Sequence, residues 1–269
     1  MVVLKKIVQV PAIWLTRGLF VTIGLPVLWL LEGIRPVRFG IISTQQIGVL
    51  AGNIYVFLQN HSAELQSGKY VYIFPVWDAS NQTLLEIGKR YLPIVENRWL
   101  TRIVFYCWPI AIKTRFLFRL PWTDMDFKAF STGPTPLAFS EAEVMRGKKA
   151  LRDMGIGDDD WFVCIHARDN AYKAAWRPED KAVWSSREFR NCRIENYLDA
   201  AKYITSLGGY VVRMGHTVEK PLAELGRDDV AGDARIIDYA TTYRSDFMDI
   251  YLSAHCRFFL GNNSGLFVV

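Results

Sequence analysis

Fourteen residues in a row, 18–31, carry no charge, and Lys5 and Lys6 stand ahead of them. A helix of that length covers about 21 Å, short of the roughly 30 Å hydrocarbon core of a bilayer. Extending it back to Ile7 gives spanning length but takes in Arg17, and Pro26 predicts a kink. The lysines and the apolar run also fit a signal peptide, yet Glu32, Gly33, Ile34 and Arg35 follow in place of a small-x-small cleavage site. The segment fits either a monotopic membrane anchor or an apolar helix packed on the first domain.

Beyond it the pattern alternates. Residues 37–42 (VRFGII) predict a strand, 43–48 a loop, and a helix starts near 49–53. Residues 69–76 (KYVYIFPV) are β-branched and aromatic, as a strand requires. Leu84, Leu85, Ile87 and Leu92 give helical spacing over 81–95, with Pro93 as a stop. This rhythm predicts a parallel α/β sheet. Residues 123–140, with Gly133, Pro134 and Pro136, read as a linker or crossing loop.

A helix follows over 140–154: Ser140 caps it, Glu143 completes a capping box, and Gly155 ends it. The run WFVCIHA at 161–167 is continuously apolar, as a buried parallel strand is. Then come a helix over 194–207 closed by Gly208 and Gly209, and a strand over 210–214. A short helical piece at 221–225, a strand over 235–239, a helix over 247–255 and a strand over 257–260 complete the series. The strand–helix rhythm thus restarts after the crossing. The expected fold class is α/β, with two Rossmann-like domains in series. The expected divisions are an apolar N-terminal segment (1–36), a first domain (37–122), a linker with a crossing helix (123–160) and a second domain (161–269). Open parallel sheets bind ligands at the carboxyl ends of their strands, and a pair of them places the site in the cleft between domains.

Composition narrows the classes. With 51% hydrophobic and 22% charged residues among 269, the chain is not disordered. Cys107, Cys164, Cys192 and Cys256 form no CxxC pair, which excludes a zinc ribbon and a disulfide scaffold and fits a reducing compartment. Residues 1–150 carry 17 Lys+Arg against 9 Asp+Glu, whereas 151–269 carry 15 against 18. The basic first half suggests an anionic surface or ligand. No helix-turn-helix, zinc-finger, RNP or KH pattern accompanies it, so nucleic acid is not the expected partner. Residues 98–120 interleave five basic residues with six aromatics and contain no acid. They fit either a lipid-facing surface or a buried segment whose long cations snorkel or pair.

Chemistry concentrates at strand ends. His166, Ala167, Arg168 and Asp169 follow the buried strand directly. Arg168 fits either a bidentate phosphate grip or a strand-end ion pair. Asn262, Asn263, Ser264 and Gly265 follow another strand, and a helix beginning there would offer free amide groups to an anion. Arg213 and Asp238 end two further strands, so all four positions belong to one rim.

The stretches FVCIHARDNAY, FRNCRIENYLDAA, GGYVVRMG, IIDYA and SDFMDIYLSAHCRFFLGNNSGL resemble a family of bacterial glycosyltransferases from surface-polysaccharide gene clusters. The resemblance covers most of 161–267 in order. It is looser in the first half, through FGIISTQQIGVLAGN and FPVWDASNQTLLEI. The His-x-Arg element is also similar to the distant fucosyltransferase superfamily of the GT-B fold, where this Arg contacts the donor diphosphate. The resemblance implies a GT-B-like pair of domains, acceptor-side first and nucleotide-sugar-binding second. It implies further helix and sheet past residue 269, so the second domain is expected to be incomplete. Arg168 would bind phosphate and His166 would support that edge. Arg190 and Asn191 would line the cleft, and Asn263, Ser264 and Gly265 would cradle the diphosphate. Arg213, Asp238 and Asp246 lie in family motifs without an assigned role.

The implied reaction is sugar transfer from a nucleotide sugar to a surface-glycan or lipid-linked acceptor, at the inner face of the membrane in the cytoplasm. Arg and backbone amides would stabilise the leaving diphosphate in place of a metal, so no cofactor is expected. Asp124-Met125-Asp126 spells a metal motif but sits in the crossing loop. A base for the acceptor hydroxyl would come from Asp78 or Asp169, each of which equally suits a helix cap or a salt bridge. Two alternatives stay open: a truncated or degenerate relative that binds nucleotide sugar or glycan without turnover, and an unrelated two-domain α/β binding protein.

Overall fold

The structure, a computed structural model, describes residues 2–120, 136–176, 178–180, 185–186 and 188–269, with backbone alone at 2–9, 119 and 180. The chain divides into two compact units, Met1–Ala138 and Phe139–Val269. The expected linker residues 123–135 lie outside the described residues.

In the first unit, α1 (Val2–Leu19) runs through a π turn at Phe20–Gly24 into α2 (Leu25–Glu32). The caps on both sides of the π turn keep right-handed helical dihedrals, so the helix continues through it. Pro26 has no N–H to give the preceding turn, and its ring crowds the carbonyl four residues back. The wide turn stands where the sequence predicted a kink. Val10–Glu32 is long and apolar enough to cross a membrane, by length and composition alone. Arg17, inside that stretch, donates from Nε to the Tyr106 carbonyl at 2.8 Å.

The unit's sheet consists of β1 (Val37–Ile41), β2 (Val71–Val76), β3 (Ile94–Glu96) and β4 (Leu117–Arg119). All pairings are parallel and the order is β3-β2-β1-β4. Between the strands run α3 (Ile47–Ser67), α4 (Gln82–Lys89) and α5 (Arg98–Ala111). Phe57, Tyr72, Phe74 and Phe118 form an aromatic cluster on the sheet. Gly40 is required within it, because a Cβ there would stand 2.4 Å from the Phe74 ring and 2.7 Å from the Phe118 ring. The helix expected over 81–95 ends at Lys89. Leu92 and Ile94 are buried beyond it, and Ile94 opens β3 beside Phe74. The basic aromatic stretch 98–120 resolves into α5 and β4.

The second unit opens with α6 (Glu141–Asp153). Its Ser140–Glu143 capping box is present, and Gly155 takes φ +87 after its end. The sheet comprises β5 (Phe162–His166), β6 (Tyr210–Arg213), β7 (Ile236–Ile237) and β8 (Phe259–Gly261). It is again parallel, in the order β7-β6-β5-β8. β5 is apolar from Phe162 to Ile165 because both its faces are covered. Val163 and Ile165 meet Leu198, Ala201 and Ile204, and on the other face Cys164 Sγ reaches the Leu252 carbonyl. The helix expected over 194–207 begins as a 3₁₀ turn, Ile194–Tyr197, before α8 (Leu198–Ser206). A short α7 (Ala171–Trp176) follows β5, α9 (Asp228–Ala231) precedes β7, and α10 (Tyr239–Thr242) and α11 (Asp246–His255) precede β8. β7 is shorter than the expected 235–239 because Asp238 already flanks α10.

Both sheets therefore share one order, with the first strand of each unit flanked by the second and the fourth. The connections change direction between β1 and β4 and between β5 and β8. Parallel sheets open a crevice at such a point, outside the strand carboxyl ends.

Candidate functional site

The best-defined polar cluster sits at the switch point between β5 and β8. Two residues past β5, the Arg168 amide donates to Asn262 Oδ1 at 2.8 Å, and the Arg168 carbonyl accepts from the Cys192 amide at 2.9 Å. Asn262 Nδ2 donates to the Arg190 carbonyl, and Arg190 Nη2 donates to the Asn263 carbonyl (3.0 Å) and Asn263 Oδ1 (2.8 Å). Three segments far apart in sequence, 167–170, 188–192 and 261–264, are thus tied into one patch. Gly261 permits their close approach: a Cβ there would lie 2.7 Å from the His166 carbonyl oxygen.

The patch holds polar atoms that the protein leaves unused. Ser264 Oγ, Asn191 Oδ1, Asn170 Oδ1 and Arg190 Nε are buried and meet no hydrogen-bond partner among the described residues. Buried polar groups ordinarily have partners, so such a group asks for an explanation, and a bound ligand is one. Arg168 itself is 8% exposed. The chain then makes a 3₁₀ turn, Gly265–Val268.

His166 ends β5, and its Nδ1 donates to the Met214 carbonyl at 3.1 Å. A carbonyl only accepts, so the proton sits on Nδ1. Burial holds the ring's pKa below its ordinary value, and this bond opposes the shift only in part. His166 is a neutral brace between β5 and the loop after β6.

Asp169 is occupied on both oxygens. Oδ1 accepts from the Ala171 amide (3.0 Å) at the start of α7, and Oδ2 accepts from the Glu219 amide (3.2 Å). Arg213 and Asp238 end β6 and follow β7, and they bond to each other at 2.9 Å with side chains 4% and 15% exposed. Asp238 Oδ2 also accepts from the Leu222 amide at 2.8 Å, and Arg213 Nη2 donates to the Lys220 carbonyl. They stand on the expected rim, but as a buried ion pair that fixes the loop after β6. Asp246, in the first turn of α11, pairs with Arg244, which also bonds Asp249. The Tyr239 hydroxyl reaches Asp249 Oδ1 at 2.8 Å. Burial pushes the Asp249 carboxyl up to about 6 even beside Arg244.

A cavity of about 490 Å³ adjoins the patch on the β6 side, with Ala167, Asp169, Asn191, Glu195, Arg213 and Lys220 among its walls. The segment 190–192 forms part of both. Sequence reading named the polar loop at 262–265 but missed Asn262 as the clasp and Cys192 as the partner of Arg168.

Asp78 belongs to the first unit. It follows β2, its side chain is exposed, and it takes φ +62, a left-handed conformation that Asp adopts more readily than most residues. Thr44 Oγ1 donates to its carbonyl at 3.2 Å. Asp124 and Asp126 lie outside the described residues. Among the described residues no three His, Cys, Asp or Glu side chains gather as a metal site would require.

No protein-family model matches the sequence, and no curated protein does. Among solved structures the chain is similar to the Escherichia coli ADP-heptose LPS heptosyltransferase II. The two share 13% identity and a TM-score of 0.45, over 86% of this chain and 80% of the other. A likeness of that degree carries no functional argument, so the functional reading rests on the site.

Proposed function

We propose that the second unit binds a nucleotide sugar at the β5/β8 switch point, and that the protein transfers the sugar to a glycan or lipid-linked acceptor. The observation that carries this reading is the patch of Arg168, Arg190, Asn191 and Ser264, clasped by Asn262 and Asn263 at the crevice where parallel sheets bind phosphates. Two guanidinium groups and two unused buried donors, Ser264 Oγ and Arg190 Nε, suit a diphosphate. The family resemblance of this region points the same way.

Departure of a nucleoside diphosphate builds negative charge on the phosphate oxygens. Preorganised cations and amides stabilise that charge without reorganising. Arg168 and Arg190 would supply it, so the reaction runs without a metal. Asn263, Ser264 and Gly265 would line the phosphates, and the adjoining cavity would take the nucleoside. His166, Asp169, Arg213 and Asp238 position these groups. Asp78 is the candidate base, because both oxygens of Asp169 are engaged.

The exposed apolar face of Val10–Glu32 supports work at a membrane surface, on the cytoplasmic side where nucleotide sugars are made. A second reading is capture of the nucleotide sugar without transfer. The engagement of Asp169 and Asp238 favours it, since it commits both aspartates at this edge of the second unit to structural bonds.

Release of nucleoside diphosphate from nucleotide sugars, with and without membrane glycolipid and EDTA, tests the proposal. Acceptor-dependent release that survives EDTA is expected. Arg168→Ala should lower it by about 10²–10³, and Asp78→Asn by about 10²–10⁴. Binding without release would support capture alone.

A further inference from the structure

The first unit contains a cavity of about 240 Å³ whose lining is wholly apolar. Phe20, Val27 and Leu28 from the N-terminal helix face Val104 and Cys107 of α5 across it, with Phe116 before β4. Its inner wall is the core that α5 and β4 share with Phe20 and Phe39. Outward the same helix pair exposes Trp14, Leu15, Ile23, Trp29, Leu30 and Ile103.

The charge beside this surface is mostly positive. In the first unit Arg17 lies over Trp14 (5.6 Å), Arg115 over Trp29 (4.6 Å), Arg102 over Trp99 (5.6 Å) and Arg98 over Trp77 (4.6 Å). Residues 10–31 and 98–120 contain no Asp or Glu. Arg115 directly precedes the cavity residue Phe116, and Trp29 meets Phe116 edge-on at 5.5 Å. The nearby acid, Glu32, is held by Arg38 in two bonds of 2.8 Å and stands 3.7 Å from Arg115. The positive charge of Arg115 is therefore incompletely offset at the cavity.

We infer that this cavity takes the hydrocarbon chain of an anionic membrane lipid, whose phosphate lies against Arg115. A peptide would bring backbone N–H and C=O groups into a lining that offers them no partner. A second copy docked through the same face would set these arginines against their own counterparts. A hydrocarbon chain has no polar group to satisfy, and its headgroup meets the arginines. Trp and Arg at a bilayer boundary are the residues expected of such a surface. The inference deepens the membrane side of the proposed function and rests on it.

The test uses the whole chain and dodecyl phosphate below its micelle-forming concentration, with inorganic phosphate as the control. Calorimetry should show saturable binding of one dodecyl phosphate per chain and none of inorganic phosphate. Ala111→Leu, which fills the cavity from α5, should weaken binding by about tenfold or more. Sedimentation of that variant with phosphatidylglycerol vesicles should stay unchanged, as it depends on the outer face. Arg115→Glu, at an exposed position, should weaken dodecyl phosphate binding about fivefold. No saturable binding, wild-type affinity in both variants, or a dimer that buries this face would overturn the inference. Nucleotide binding separates the two proposals. If nucleotide binds and the amphiphile does not, the lipid inference alone falls; the reverse removes the transfer reading and leaves the cavity.

Discussion

The backbone amide of Arg168 is held by the side chain of Asn262 at 2.8 Å, across 94 residues of sequence. Asn262 turns its other side-chain group to the Arg190 carbonyl, so one amide side chain fixes the backbone beside both guanidinium groups. Asn262→Ala removes both bonds and leaves a part-buried N–H and C=O without them. Urea denaturation should show a loss of about 1–3 kcal/mol, and nucleotide affinity should fall with it. Unchanged stability and affinity would mean that the clasp does not hold the patch.

Arg213 and Asp238 form the least exposed ion pair at this edge of the second unit. Desolvation makes such a pair a poor net stabiliser, while removal of one partner strands a buried charge. Asp238→Ala should cost about 3–5 kcal/mol, whereas the double replacement Arg213→Met, Asp238→Leu should cost much less. A double-mutant cycle by chemical denaturation measures this coupling. Additive losses would deny the pairing.

Gly261 lies against the His166 carbonyl, and a Cβ at this position would come within 2.7 Å of that backbone oxygen. Gly261→Ala must part β5 from β8, at a cost of about 1–3 kcal/mol. Because the parting strands carry Arg168 and Asn262, nucleotide binding should weaken as well. A thermal melt of the variant that overlays the wild type would refute the close approach.

Two buried groups give opposite pH dependences. His166 has a folded pKa below its ordinary 6.5, so its contribution is whole above pH 6.5 and is lost as pH falls through the folded value. Asp249 is raised from 3.8 to about 6, so its contribution is whole below 3.8 and is lost as pH rises through about 6. Stability against pH, measured for the wild type, His166→Gln and Asp249→Asn, should lose the first slope in one variant and the second in the other. Slopes unaltered by either substitution would contradict the burial of these groups.

Much of this architecture was legible because local and global demands coincide. The run at 161–167 reads as a buried strand since both faces of β5 are covered. The Ser140–Glu143 box sets the start of α6 through contacts three residues apart. β3 escaped notice because it has three residues, lies just after Pro93 and exposes Val95 and Glu96, so the helical spacing before it set the expectation. At the site, position was legible and partnership was not. Topology places Arg168, Arg213, Asp238 and 262–265 on one edge. That Arg213 and Asp238 bond each other, and that Asn262 holds Arg168 and Arg190, are long-range facts that no local pattern encodes.

The proposed function stands or falls with binding of a nucleotide sugar's diphosphate at the β5/β8 crevice through Arg168. A thermal-shift titration of the chain with ADP, UDP, GDP, CDP and their sugar conjugates tests it directly, since a ligand of the folded form alone must raise its melting temperature. A concentration-dependent rise with at least one nucleotide, unchanged by EDTA, is expected. Arg168→Ala and Arg190→Ala should each weaken binding by about 1.5–3 kcal/mol. Arg168→Lys should be nearly as damaged as Arg168→Ala, because the charge remains and the two-pronged fork is gone. No rise with any nucleotide, or full affinity in a folded Arg168→Ala protein, would contradict it.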